Sequence, residues 1–301
     1  MRKKHGIGKS LIKLAKPRIS MLFAFTASAA LGAIIAGNGL PPLKPTMLAI
    51  LSTLFITLAT YVYNDVIDAD MDRASKSSNK ENRPLAKGEV PQRDAYTIIT
   101  VSSILGVGIA WYINTTAFTI AALFWALFMM YSFPPVRFKR MFIIKSLVTA
   151  IGPALTLLVG MTSIHNTLTP LGLYTAFVQW IFLFSILPSI ADSFDIEEDT
   201  KYGMKTLAMV LSWRKKARML MFAPAFATVM SIGAYIIFNV NLVWPVLSAV
   251  TSLLYINEIR KVSTEYDEAM VWNIRKLAFI YYDLNLIYVL LGTINLITLI
   301  S

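Results

Sequence analysis

The sequence contains no cysteine and only two histidines, His5 and His165. Disulfide frameworks, thiolate metal sites and cysteine nucleophiles are therefore excluded. Two imidazoles so far apart, one of them in a basic tail, do not make a zinc site either. Charge is scarce: 15% of the residues are Asp, Glu, Lys or Arg, against roughly 25% in soluble domains. Metal chemistry must use oxygen ligands, and the deficit of charge argues against a water-soluble enzyme.

Apolar residues fill the gap, at 56% of the 301 positions, and the mean hydropathy is +0.61. A bilayer core of about 30 Å takes roughly 20 apolar residues per helix. Nine segments reach that length, at about 19–37, 46–66, 95–113, 116–133, 142–162, 169–191, 218–238, 241–256 and 277–299. The first is too long for the apolar core of a signal peptide, and Gly37-Asn38-Gly39 before Pro41-Pro42 reads as a turn between helices. The sequence therefore predicts an all-α polytopic membrane protein of nine transmembrane helices.

A net charge of +11 would by itself suggest nucleic acid or an anionic surface as partner. Sorted by connection, 27 of the 28 Lys and Arg fall on alternate connections, on one side. The positive-inside rule makes that side cytoplasmic, with the N-terminus inside, the C-terminus outside and no nucleic acid implied. Of the 17 Asp and Glu, 16 share that side, and Asp283 lies inside the ninth span. Any chemistry is expected at the cytoplasmic face of a multi-pass protein of the cell membrane.

Two acidic clusters stand out. Asn64-Asp65-Val66-Ile67-Asp68-Ala69-Asp70-Met71-Asp72 ends the second span, and Asp192-Ser193-Phe194-Asp195-Ile196-Glu197-Glu198-Asp199 ends the sixth. Asp65, Asp68 and Asp72 fall at i, i+3 and i+7, and Asp192, Asp195 and Asp199 repeat the spacing 127 residues later. On a helix, these offsets place three carboxylates on one face. Like charges so placed repel and need a cation. Oxygen ligands favour Mg²⁺ or Ca²⁺, and Mg²⁺ commonly completes its shell with water and substrate phosphate. Two matching clusters suggest a diphosphate held between metal ions, where one alone would read as a solvated helix end. The repeat also suggests two related halves of four spans with a ninth added.

Basic residues accompany the clusters: Arg73 and Lys76, then Asn82-Arg83-Pro84-Leu85-Ala86-Lys87-Gly88; Lys201 and Lys205; and Arg137, Lys139 and Arg140 after Tyr131-Ser132-Phe133-Pro134-Pro135. Each alone is explained by topology, whereas the set suits a diphosphate gripped by metal ions, Arg and Lys.

These residues resemble the UbiA superfamily of intramembrane prenyltransferases. Asn64, Asp65, Asp68 and Asp72 meet its NDxxDxxxD signature, and Asp195 and Asp199 meet its DxxxD, followed by Lys201-Tyr202-Gly203-Met204-Lys205-Thr206-Leu207. The Lys16-Pro17-Arg18 approach to the first span and the Tyr131 to Arg140 loop are also similar. The resemblance implies one domain over residues 1–301, nine helices around a central cavity, and a cytoplasmic cap from loops at about 67–94 and 192–217. It implies Mg²⁺, as two ions bridging an isoprenyl diphosphate, and ionisation to an allylic carbocation captured by a lipophilic acceptor, in isoprenoid lipid or quinone biosynthesis.

In that reading the metal ligands are Asn64, Asp65, Asp68, Asp72, Asp192, Asp195 and Asp199. Asp192 is alternatively the base for the acceptor's proton or a residue that positions the helix end. Arg73, Arg137, Lys139, Lys145, Lys201 and Lys205 are diphosphate contacts, and the Tyr131 ring stabilises the cation. Asp70, Glu197 and Glu198 turn away as solvated charge, and Asp283 is placed near the cavity without being a ligand. The second motif looks most like archaeal digeranylgeranylglyceryl phosphate synthases; an aromatic acid, a naphthoquinone precursor and a glycerol-phosphate lipid all stay open as acceptors. A cation transporter and a CDP-alcohol phosphotransferase are the alternatives. The first is disfavoured because transporter sites lie near the midplane, the second because its DGxxAR element is missing.

Overall fold

The structure, a computed structural model, describes residues 6–74, 83–194 and 196–294, apart from the side chain of Glu198. Asp195, Lys76 and Asn82 lie outside the described residues. A short amphipathic helix, α1 (Ile7–Ala15), leads through a 3-10 turn at Lys16–Arg18 into α2 (Ile19–Ala36). There follow α3 (Leu43–Arg73), α4 (Gln92–Ile113), α5 (Thr115–Ser132), α6 (Ile144–His165) and α7 (Pro170–Ile190). Two short helices, α8 (Ile196–Lys201) and α9 (Leu207–Val210), precede α10 (Trp213–Phe238), α11 (Val243–Lys261) and α12 (Glu268–Thr293).

Apolar stretches become helices because the helix satisfies every backbone polar group within itself, which lipid cannot do. Their ends are set by turn and cap residues. Asn38 and Gly39 take positive φ after α2, and the Gly39 amide donates back to the Ile34 carbonyl at 2.9 Å. Asn114 is the whole connection between α4 and α5: its side chain accepts from the Ala117 amide at 2.8 Å and donates to the Thr162 carbonyl at 2.7 Å. Thr169, with Pro170 at the first helical position, caps α7, and Asp267 caps α12.

Among the described residues nine helices have at least 18 residues, at the places the sequence predicts. Seven helical stretches are long and apolar enough to cross a membrane by length and composition. The other two are α11 and α12, whose hydropathy is lowered by Asn257, Glu258 and Arg260 in one and Lys276, Asp283 and Asn285 in the other. The second span was expected to stop near 66; α3 instead runs on to Arg73 and carries the whole first acidic motif as helix. The second motif differs. A 3-10 turn at Asp192–Phe194 follows α7, which contains Pro188 near its end, and α8 restarts at Ile196. Asp192 and Asp199 therefore do not share one regular helical face. Proline removes an i→i−4 bond, and the tighter 3-10 winding changes the side-chain phase.

The long helices form a closed ring. Each packs on the next in sequence, α7 passes to α10, and α12 returns to α2. The first helix of each expected half, α2 and α6, pack on each other as a central seam. Glycine makes this seam possible: a Cβ on Gly32 would overlap the Leu157 carbonyl oxygen, and one on Gly160 would overlap the Ala29 carbonyl oxygen. Without a hydrophobic force between helices in lipid, such backbone approach is where packing energy comes from. The seam ends, at the Arg18 and Lys145 ends of the two helices, beside a polar cavity.

Candidate active site

A cavity of about 230 Å³ is lined by Arg18, Thr60, Tyr61, Asn64, Asp68, Met71, Asp72, Arg83, Phe128, Tyr131, Lys139, Lys145, Thr149, Asp192, Asp199 and Met204. Both acidic motifs, four spans apart in sequence, thus face one space. The helical offsets of the first motif account for its share, since Asn64, Asp68 and Asp72 recur along one side of α3.

Each described carboxylate there has a basic partner. The Arg18 guanidinium forks onto Asp65, with Nε donating at 3.2 Å and its second nitrogen closer. Arg83 donates to Asp72 at 2.7 Å and reaches Asp65 at 3.4 Å. The buried Lys139 ammonium pairs with Asp68. Lys145, at the start of α6, joins the ends of the second motif: its ammonium lies 3.0 Å from Asp192 and 3.3 Å from Asp199. Burial pulls the pKa of Lys139 down, against the Asp68 carboxylate that holds it up. Among the lining residues four acids face four bases, so the space is formally neutral as it stands.

Metal capacity follows from the donor set. Asp68, Asp72, Asp192, Asp199 and the Asn64 amide are all hard oxygen donors, and Asn64 is held by a hydrogen bond from Ser132 at 2.6 Å. No three acids among the described residues come together tightly enough to enclose an ion by themselves. That fits Mg²⁺, which takes one or two carboxylates and fills its remaining positions with water and phosphate oxygens.

The other expected residues fall in different places. Asp65 is buried beneath the cavity as the partner of Arg18 and Arg83, and does not line it. Arg73 turns outward to Asp70 at 3.1 Å while its Nε donates to the Ala86 carbonyl at 3.0 Å. Lys201 lies over the Tyr202 ring and Lys205 over the Phe142 ring, both exposed. Arg137 adopts a left-handed backbone, φ 42°, and its buried Nε finds no acceptor; it does not line the cavity. Tyr131 does line it. Asp283 corrects the expectation that placed it near the cavity: it is exposed on the outer side of α12, because the adjacent Tyr281 and Tyr282 take the buried side.

Sequence reasoning named Arg18 as part of an approach segment and as a possible anchor for the acceptor, and Arg83 only as one base in a run. It missed Tyr61 and Thr149. Helical phase could have found both: Tyr61 precedes Asn64 by three residues and Thr149 follows Lys145 by four. Tyr61 also carries the Arg18 guanidinium over its ring, 5.3 Å from the centroid.

Comparison with known proteins agrees with this architecture. Digeranylgeranylglyceryl phosphate synthase of Thermococcus kodakarensis is 28% identical over 210 residues, 69% of this chain and 71% of that protein. A solved structure of a digeranylgeranylglyceryl phosphate synthase superposes with a TM-score of 0.76 at 20% identity, over 96% of this chain and 99% of that one. A UbiA homolog from Archaeoglobus fulgidus bound to GPP and Mg²⁺ superposes with a TM-score of 0.62 at 20% identity, covering 93% and 99% of the two chains. The sequence pattern of the UbiA prenyltransferase family matches residues 23–281. A match across that much of the polypeptide fixes its membership: the chain belongs to the UbiA prenyltransferase family and is a prenyltransferase.

Proposed function

We propose that the protein transfers an isoprenyl group from an isoprenyl diphosphate to a geranylgeranylglyceryl phosphate-like lipid, using Mg²⁺ held as two ions between the acidic motifs. The observation that carries this reading is the convergence of Asp68 and Asp72 with Asp192 and Asp199 on one cavity, with Lys145 between the last two. The relative and the solved structure named for digeranylgeranylglyceryl phosphate synthesis support the acceptor. The homolog bound to GPP and Mg²⁺ supports the donor and the metal.

In this reading Asn64, Asp68, Asp72, Asp195 and Asp199 would hold the metal, which would supply positive charge to the departing diphosphate, leaving Asp192 as the base. Asp65 acts one layer down, fixing Arg18 and Arg83. The allylic C–O bond breaks and its electron pair leaves with the diphosphate. Lys139 and Lys145, whose ammonium groups cover carboxylate oxygens, turn to the phosphate oxygens and stabilise that charge. Arg73, Arg137, Lys201 and Lys205 reach the diphosphate only if the cap segments close further. A diphosphate arriving with Mg²⁺ brings both signs, which suits a cavity already balanced in charge. The cation then faces the Tyr131 and Phe128 side of the cavity, and the acceptor hydroxyl captures it as Asp192 takes the proton. The Phe128 and Tyr131 side, the apolar part of the lining, keeps water from the cation it faces. The positive-inside count orients the site to the cytoplasm, with the N-terminus on the same side and the C-terminus outside.

A product screen tests the assignment. Geranylgeranyl diphosphate with geranylgeranylglyceryl phosphate should give an ether lipid and diphosphate, dependent on Mg²⁺, whereas turnover only with an aromatic acid or a naphthoquinone precursor would move the acceptor to that class. Ion flux in liposomes with no prenyl product would overturn the enzyme reading. For the cation, Tyr131→Phe should keep activity within a few-fold and Tyr131→Leu should lose about 3- to 30-fold in kcat, the range of a desolvated cation–π contact. Equal loss in both variants would show that the hydroxyl, not the ring, is used.

A further inference from the structure

The residues before the first long helix form a surface that prenyl transfer does not account for. The first 18 positions carry seven Lys and Arg and no Asp or Glu. Within α1, Leu14 is fully buried, while Ile7, Leu11 and Ile12 are exposed, Ile12 by 68%. At 100° per residue, Lys9 and Lys13 project from the side opposite Ile7 and Leu11. Ile7 and Leu11 border an outward-facing apolar groove with Phe55, Leu58, Val101 and Leu105 of α3 and α4. An apolar arc against lipid-facing helices and a basic arc opposite it is the pattern of a helix lying in the membrane interface.

An adjoining face of α1, that of Ser10, Lys13 and Leu14, is tied to the segment that brings Arg83 to the cavity. Ser10 donates to Asp94 at 2.6 Å, Lys13 pairs with Glu89 at 3.0 Å, and Leu14 packs with Leu85 and Val90. Residues 83–91 form a turn between these anchors, and Arg83 at its head reaches Asp72 at 2.7 Å. Lys9 and Lys16 are exposed, with Arg2, Lys3 and Lys4 just upstream in sequence.

We infer that α1 docks on anionic lipid headgroups through Lys9 and Lys16 and that this docking holds the 83–91 segment, and with it Arg83, over the diphosphate site. The occupant is the headgroup layer of an anionic bilayer. The charge is complementary, the apolar arc is already placed beside lipid-facing helices, and the two acidic side chains that contact α1 among the described residues, Glu89 and Asp94, are engaged by Lys13 and Ser10. Each lysine near an anionic surface is worth roughly fivefold in surface affinity. The attraction falls off within a Debye length and weakens with salt.

The test uses the full-length protein in nanodiscs of phosphatidylcholine alone and in nanodiscs containing phosphatidylglycerol. Amide hydrogen exchange of the peptide covering 83–91 should slow severalfold in the anionic discs, and the KM for the isoprenyl diphosphate should fall about 5- to 30-fold with kcat little changed. The double variant Lys9→Gln with Lys16→Gln should lose both responses and match wild type in phosphatidylcholine. A second variant, Ser10→Ala with Asp94→Asn, should keep surface attachment but uncouple it from exchange at 83–91. Equal exchange of wild type in the two lipids, or a full lipid response in the lysine variant, would overturn the inference. The KM readout rests on the proposed prenyl transfer; the exchange readout does not, so failure of one is distinguishable from failure of the other.

Discussion

Asp68→Asn and Asp199→Asn are each expected to lower prenyl transfer by about 10²- to 10³-fold, the size seen when one charge-stabilising group is removed from a preorganised site. Asp68 and Asp199 come from opposite acidic motifs, yet both line the same cavity, and each is paired with a lysine, Lys139 or Lys145. Asparagine keeps the shape and one carbonyl oxygen but removes the negative charge, so metal affinity should drop and raised Mg²⁺ should recover part of the rate. The internal comparison is Asp70→Asn. Asp70 belongs to the same run of acids, but its side chain is 94% exposed and pairs outward with Arg73; its loss should change the rate little, as exposed ion pairs contribute about 0–1 kcal/mol. The measurement is diphosphate release across an Mg²⁺ titration. If Asp68→Asn behaves like Asp70→Asn, the placement of the metal on the first motif is wrong.

The second large effect concerns the seam rather than the site. Gly160→Ala adds one methyl group where the Ala29 carbonyl already stands, and Gly32→Ala does the same against Leu157. Overpacking a core ordinarily costs about 1–3 kcal/mol because side chains can rotate away. Here backbone meets backbone, so α2 and α6 must separate, and the loss should exceed that range. The separation would also pull Arg18, which precedes α2, away from Lys145 at the start of α6, so activity should fall with stability. Thermal unfolding in detergent checks it, with Gly108→Ala as the contrast. Gly108 has no atom within 4 Å of a prospective Cβ and lies inside α4, where alanine should stabilise by up to about 1 kcal/mol. Equal melting temperatures for Gly160→Ala and wild type would mean that the two helices do not depend on this close approach.

Both results bear on how much could be read before the fold was known. The nine apolar stretches were legible because lipid imposes length and helicity on each one separately, with no reference to its neighbours. The first acidic motif was largely legible for a similar reason: α3 is regular through it, so offsets of three and four residues translate into a face, although the face that lines the cavity is that of Asn64, Asp68 and Asp72, with Asp65 turned beneath it. The second motif was only half legible. Its spacing matches the first, but Pro188 and the 3-10 turn at Asp192–Phe194 break the helical phase, and the residues meet the cavity by a different route. Asp283 misled for a related reason, since an ionisable residue in a span is ordinarily turned inward, and only the burial of Tyr281 and Tyr282 fixed the rotation of α12.

The pairings of charge were not legible at all. Arg18 with Asp65, Lys139 with Asp68 and Lys145 with Asp192 each join distant parts of the chain, Arg83 with Asp72 spans one connection, and nothing local distinguishes the bases used from those left outside, such as Arg73 and Lys201. The sequence by itself determined the solvent, the helices, the sidedness expected from charge and the oxygen chemistry, because those depend on composition and short-range periodicity. The tertiary structure alone decided which acids share a cavity and which bases answer them, because that depends on a ring of helices closing through α12 onto α2 and on two glycines that bring α2 and α6 together.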